Sequence, residues 1–198
     1  MPRDSQQTRE RILEAANRLF YGEGIRAVSV DAVAEKAGVT KRTLYYHFRS
    51  KDELVAAYLA SRDQPSLARL VEWFEAAEGA LADKVQAIFV RLAEAAKHPR
   101  WKGCGFLRTA AELAATPGHP AVAVGAAHKK RFEAWLTEVI AAEGFADAPL
   151  RARQIVLLMD GAFSTMLIHR DPAYVEAAGA AAAALLGVSR PTPPARSS

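Results

Sequence analysis

The segment GVTKRTLYYHFRSK, residues 38–51, gathers Lys41, Arg42, Arg49 and Lys51 around the adjacent pair Tyr45 and Tyr46 and His47. Cations interleaved with phenol rings suit a nucleic-acid surface. Ammonium and guanidinium groups replace counterions on phosphates, rings lie against sugars and thymine methyls, and phenol hydroxyls reach phosphate oxygens. The charge distribution points the same way. Residues 1–51 hold ten Lys and Arg against six Asp and Glu, a surplus of four, while residues 52–198 hold sixteen of each, so the whole net charge of +4 sits in the first quarter. A solvated basic face would also carry such a surplus, so charge raises the nucleic-acid question and local structure must answer it.

The elements that position this segment read as helices. Ile12, Ala16, Leu19 and Phe20 recur at helical spacing over residues 6–21, and the GEG at 22–24 ends the run. Ser29 then caps a short helix with Val30, Val33, Ala34 and Ala37 on one face, and Gly38 stands where a left-handed C-terminal residue is wanted. After the plug Val39, Thr40 caps a third helix. A short helix, a tight turn with glycine and a second short helix make a helix-turn-helix, whose second helix is presented to a DNA major groove. In that helix Leu44 and Phe48, four apart, face inward, which leaves Arg42, Tyr45 and Tyr46 on the opposite side. Lys41, Arg42 and Thr43 fall near its N-terminus, where base edges are read. Ser50 and Glu53 form a capping box that opens a fourth helix, with Lys51 in a first turn suited to a phosphate.

The run TRERILEAANRLFYGEGIRAVSVDAVAEKAGVTKRTLYYHFRSKDEL, from Thr8 to Leu54, resembles the DNA-binding domain of the TetR/AcrR family of bacterial regulators. The resemblance covers about a quarter of the chain and rests on the first-helix pattern, the AGVTKRTLYYHF core and the K-x-x-L that follows. It implies a homodimer that docks two reading heads in successive major grooves of a palindromic operator, and a larger C-terminal domain that binds a small ligand and thereby lowers DNA affinity. It places Lys41, Arg42 and Thr43 near bases, Tyr45, Tyr46, His47 and Lys51 near the backbone, and Ser29 and Thr40 at caps that often touch phosphate. Asp31 departs from the pattern, because some relatives carry a basic residue there; a carboxylate suits the helix dipole but holds no phosphate.

Beyond residue 54 the chain continues as helices to about residue 187, with no alternating pattern of a strand. The expected architecture is all-α with about nine helices: a DNA-binding domain over 1–51, a ligand-binding and dimerisation domain over 52–188, and a polar, proline-rich, disordered tail over 189–198. Gln64-Pro65 is expected to bend or break the fourth helix. The eighth, opened by Pro149 and ending near Arg170, is apolar on nearly every side between Ile155 and Ile168, so it must be covered all round. With the small-residue run AAGAAAAALLG that follows, residues 150–187 suit a four-helix dimer interface, the alternative being a central helix of the monomer. An effector cavity for a small apolar or amphipathic molecule is expected inside this bundle, with Trp73, Phe89, Trp101, Phe106, Trp135, Asp160 and Phe163 as candidate lining, although each also suits ordinary core. Asp160 in apolar surroundings needs a partner, for which Arg108, a cationic ligand or water would serve.

No catalytic residue, cofactor or metal is assigned. Cys104 is a lone cysteine, read as a small buried hydrophobe in preference to a thiol sensor. The histidines at 47, 98, 119, 128 and 169 have no ligand spacing. His169-Arg170-Asp171 copies a kinase loop in letters only, with no phosphate loop beside it. No signal peptide and no membrane span are read, and the expected location is the cytoplasm. The expected function is a ligand-responsive transcriptional repressor; the alternatives are an activator of the same family, an all-helical enzyme, and a sequence-indifferent DNA-coating protein for which Lys41 and Arg42 would be superfluous.

Overall fold

The computed structural model describes residues 3–187. Among them are nine helices and no strand: α1 (Arg3–Glu23), α2 (Val30–Ala37), α3 (Lys41–His47), α4 (Lys51–Glu75), α5 (Leu81–Ala96), α6 (Gly105–Glu112), α7 (Pro120–Ala142), α8 (Ala148–His169) and α9 (Ala173–Gly187). The expected disordered tail, 189–198, lies outside the described residues. None of these helices is long and apolar enough to cross a membrane.

The chain forms two compact units. The first comprises the chain to Leu70 together with Ala96–Arg131; the second comprises Val71–Ala95 and the chain from Phe132 onward. The division expected between residues 51 and 52 is therefore not where the units part. Long-range polar contacts explain the difference. Tyr21 on α1 accepts a hydrogen bond from the N–H of Lys102 at 2.9 Å and donates its hydroxyl to the carbonyl of Gly103 at 3.2 Å. Arg108 on α6 donates to the carbonyl of Tyr21 at 2.8 Å, and the carboxylate of Glu112 accepts from the N–H groups of Ile25 and Arg26 at 2.7 and 3.1 Å. Arg108, one of the partners considered for Asp160, is thus engaged with α1.

Inside the first unit, Ile12, Ala16 and Phe20 of α1 pack with Val33 and Ala34 of α2, Leu44 of α3, and Leu54, Val55 and Tyr58 of α4 in one buried cluster. These are the periodic positions of each helix, so the apolar faces meet as amphipathic helices must. Phe20 and Tyr58 stack tilted at 5.7 Å, and burial pushes the Tyr58 phenol up to about 12. Helix α4 runs through Pro65 without a break. Proline removes one ladder hydrogen bond, and two residues earlier the buried Asp63 is held by neighbours on α7.

Those neighbours are polar. His128 Nδ1 lies 2.7 Å from the Asp63 carboxylate, Arg131 pairs with its other oxygen, and the His128 ring stacks on Phe106 at 3.7 Å. Burial pushes the His128 pKa below its ordinary 6.5, and the attraction of Asp63 only partly offsets this. For Asp63 burial acts upward, but hydrogen bonds from His128 and Arg131 outweigh it and leave the carboxyl below its ordinary 3.8. At the start of α7, buried His119 accepts from the N–H of Ala121 at 3.1 Å and faces Asp52 of α4 at 3.3 Å.

In the second unit, Phe89 of α5, Leu136 and Ile140 of α7, and Ile155 and Met159 of α8 are fully buried. Gly179 brings α9 against α5 so closely that a Cβ there would stand 2.6 Å from the Cβ of Phe89. The small-residue run of α9 thus serves a contact within the chain at this point. Arg151, buried, pairs with Asp147 at 2.7 Å, donates to the carbonyl of Leu185, and lies over the Phe145 ring, tying the start of α8 to the end of α9.

Because the unfolded chain protonates His128 before the folded protein does, stability is expected to fall as pH drops below about 6.5 and to level off beneath the depressed folded value; Asp63 adds a further loss below about 3.8. His128→Asn keeps a donor toward Asp63 and removes the first titration. Thermal midpoints followed by circular dichroism across pH should show a shallower slope for this variant than for the wild type over the upper window, and equal slopes would refute the assignment.

Candidate nucleic-acid interface

Helix α3 has only seven residues, too few to persist alone, so its caps and its packing must hold it. Thr40 adopts an extended backbone and accepts from the N–H of Thr43 at 3.1 Å, and the two threonine hydroxyls share a hydrogen bond of 2.8 Å. Ser29 caps α2 in the same way, accepting from Ala32 at 3.1 Å. Gly38 takes a φ of +64°, and its N–H together with that of Val39 returns to the last carbonyls of α2, including Ala34 and Glu35. A side chain with a Cβ is strained in that conformation, which is why glycine closes the turn.

Leu44 and Phe48 are buried at 0% and 1% exposure, whereas Tyr45 is 42% and Tyr46 79% exposed. Lys41 and Arg42 are exposed as well, Thr43 and His47 are half-buried, and His47 meets the Tyr46 ring edge-on at 5.3 Å. Arg9 of α1 lies 5.0 Å over the Phe48 ring and covers its outer side. Ser50 accepts from the N–H of Glu53 at 3.0 Å at the head of α4, but Glu53 reaches back to the N–H of Arg49, at 2.8 Å, one residue before the position that a capping box specifies. Lys51 is the first residue of α4 and half-buried.

One feature of this surface was not legible in the sequence. Asp31, in the first turn of α2, accepts a hydrogen bond from the Lys41 ammonium at 3.0 Å, and both side chains are more than half exposed. The hydrogen bond and the charge of Asp31 raise the Lys41 pKa.

The candidate effector residues are divided between the two units. Trp101 and Phe106 belong to the first unit; Trp73, Phe89, Trp135, Asp160 and Phe163 belong to the second. Phe89 and Phe163 are buried, and half-buried Trp135 meets Phe74 edge-on at 5.2 Å and stacks beside Phe132 at 5.8 Å. Asp160 is half-buried. A concavity of about 540 Å³ opens elsewhere in the second unit, between α8 and α9, lined by Leu157, Leu158, Ala162, Tyr174, Ala178 and Leu185 among others. Neither the aromatic positions nor Asp160 take part in it. Cys104 is half-buried and precedes α6 without a side-chain cap. Among the described residues, no group of three or more His, Cys, Asp or Glu has a geometry suited to a metal.

A short capped helix, a turn closed by left-handed glycine and a second helix showing arginine and tyrosines outward define the helix-turn-helix of a transcriptional regulator. Comparison with known proteins agrees. Residues 12–58 match the model for bacterial regulatory proteins of the tetR family. The HTH-type transcriptional regulator SrpR of Pseudomonas putida is 42% identical over 62 residues, which cover 31% of this chain and 29% of that protein, so the match spans less than a third of the relative. SCO4454, a TetR-family transcriptional regulator from Streptomyces coelicolor, is 32% identical with a TM-score of 0.77 over 92% of this chain and 95% of that one. A TetR transcriptional regulator from Chloroflexus aurantiacus shares the fold at 23% identity, with a TM-score of 0.78 over 93% of this chain and 96% of its own. The chain belongs to the TetR family.

The inward and outward faces of α3 should separate in stability measurements. Leu44→Ala is expected to cost about 2–5 kcal/mol in urea unfolding, and Tyr46→Phe to stay within about 0.5 kcal/mol. A large loss from Tyr46→Phe would place that ring in the core.

Proposed function

We propose that the protein is a homodimeric, operator-specific repressor that a small apolar or amphipathic effector releases from DNA. The observation that carries this reading is the two-sided α3: an apolar pair at 44 and 48 locked into the unit's core, and Arg42, Tyr45 and Tyr46 left to solvent. On this reading Lys41, Arg42 and Thr43 approach base edges in the major groove, while Tyr45, Tyr46, His47 and Lys51 hold the backbone. Ser29 and Thr40 spend an acceptor on their helices; the Ser29 hydroxyl keeps a proton that a phosphate oxygen can accept, and the Thr40–Thr43 pair, which shares one hydroxyl hydrogen bond, keeps one proton between them. Family membership sets aside the all-helical enzyme, and repression is adopted as the family's commoner mode.

Dimerisation through α8 and α9 is supported by an apolar stripe. Leu150, Leu157 and Ile168 are 54%, 66% and 74% exposed, and their separations of seven and eleven residues place them on one line of the helix, about 27 Å long. Tyr174 of α9 is 43% exposed at the neighbouring groove. A symmetry mate laid along this stripe would cover it and set two heads at a fixed spacing, as half-sites about 34–36 Å apart require. An effector that prefers a wrongly spaced conformation then lowers operator affinity by population shift.

Selection of bound duplexes from a random pool tests the reading, and a palindrome is the expected product. On that duplex Lys51→Ala should weaken binding to all sequences alike and flatten the salt dependence, whereas Arg42→Ala should relax preference at particular base pairs; equal losses on selected and random DNA for both would remove the specificity claim. Leu157→Glu should shift the mass in solution from dimer to monomer and weaken palindrome binding. A variant still dimeric would show that the interface lies elsewhere.

A further inference from the structure

The pair formed by Asp31 and Lys41 joins the first turn of α2 to the first residue of α3, on the surface that carries Arg42, Tyr45 and Tyr46. Neither group is needed to satisfy the other inside the fold, because both side chains are open to water, at 65% and 54% exposure. An exposed ion pair adds little to stability, so its consequence must be sought at the surface itself. We infer that Asp31 is a specificity-determining residue that acts through Lys41, lowering affinity for arbitrary DNA more than affinity for the operator.

Binding to arbitrary sequence depends on cations that displace counterions from phosphates. A lysine whose charge is balanced by a carboxylate 3.0 Å away displaces fewer of them, and the carboxylate itself repels the phosphates. Contact with a base edge is different. An ammonium has three donors, so Lys41 can give one to Asp31 and another to a guanine O6 or N7, with the carboxylate holding the side chain in one orientation. The charge thus handicaps binding that rests on phosphates alone and is tolerated where Lys41 finds a base acceptor, and specificity is the difference between the two affinities.

This inference rests on the proposed DNA reading, and the test keeps the two apart. Full-length wild type, Asp31→Asn, Lys41→Gln and the double variant are titrated by fluorescence anisotropy against the selected palindrome and a random duplex, at several salt concentrations. Asp31→Asn is expected to tighten random-DNA binding about five- to tenfold at low salt and to steepen its salt slope by about one, while the palindrome gains less than about threefold. In the Lys41→Gln background the gain on random DNA should shrink. Unchanged affinity and slope on random DNA, an undiminished gain without Lys41, or a selective loss on the palindrome would each overturn the inference. A wild type that does not discriminate between the two duplexes would refute the proposed function instead, and this inference with it.

Discussion

The burial of Leu44 and Phe48 is the constraint on which the reading surface depends. A seven-residue helix has no independent stability, so its axis and its rotation are whatever those two side chains and the Thr40 cap impose. With the i and i+4 positions fixed in the core, helical geometry leaves positions 42, 45 and 46 no direction but outward. The turn matters equally. Gly38 in the left-handed region lets the chain reverse within three residues, and Val39, packed against the same core, fixes the angle at which α3 leaves α2. Rotating α3 by one residue would bury Tyr45 and expose Leu44, exchanging apolar contact for an unmet phenol hydroxyl.

Below this surface, the head is bound to a distant part of the sequence. Glu112 supplies acceptors for two backbone donors in the connection between α1 and α2, and Arg108 and Tyr21 form a second tie between α6 and α1. Any rearrangement of α6 must either carry that connection with it or leave the N–H groups of Ile25 and Arg26 to find water. The second alternative costs free energy, since a hydrogen bond to a charged acceptor contributes about 1.5–3 kcal/mol. The segment 96–131 is therefore mechanically part of the head. This is the physical reason that the compact units do not part at residue 51.

What the sequence revealed and what it hid divide by range. Caps, periodicity and the left-handed glycine act within four residues, so α2, α3 and their faces could be read from the text of the chain. Asp63, His128 and Arg131 meet across more than sixty positions, and nothing near Asp63 announces that it will be buried with two partners. The same limit governs Pro65: the local rule predicts a bend or a break, and the helix continues past it beside a carboxylate held by two partners from α7. Aromatic side chains are ambiguous for another reason. Phe89 looks the same in sequence whether it lines a cavity or fills a core, and only the approach of Gly179 shows that a helix backbone occupies the space beside it.

Asp31 was visible in the sequence as a first-turn carboxylate that suits the helix dipole and holds no phosphate, but its partner was not, because ten residues and a turn separate it from Lys41. On the proposed reading that pair belongs to a wider economy of charge. The head has a surplus of only four positive charges, and one of its groove-facing lysines is already compensated. A single head with so few free cations would hold DNA weakly at physiological salt, where each phosphate contact loses strength as counterions compete. Affinity then has to come from joining two such heads, since the second contact made by a tethered partner is favoured by a high effective concentration without any new interaction. The apolar stripe of α8, more than a hundred residues from α3, is on this account as much a determinant of DNA recognition as the tyrosines are: it converts two weak, sequence-sensitive grips into one whose strength depends on the distance between them.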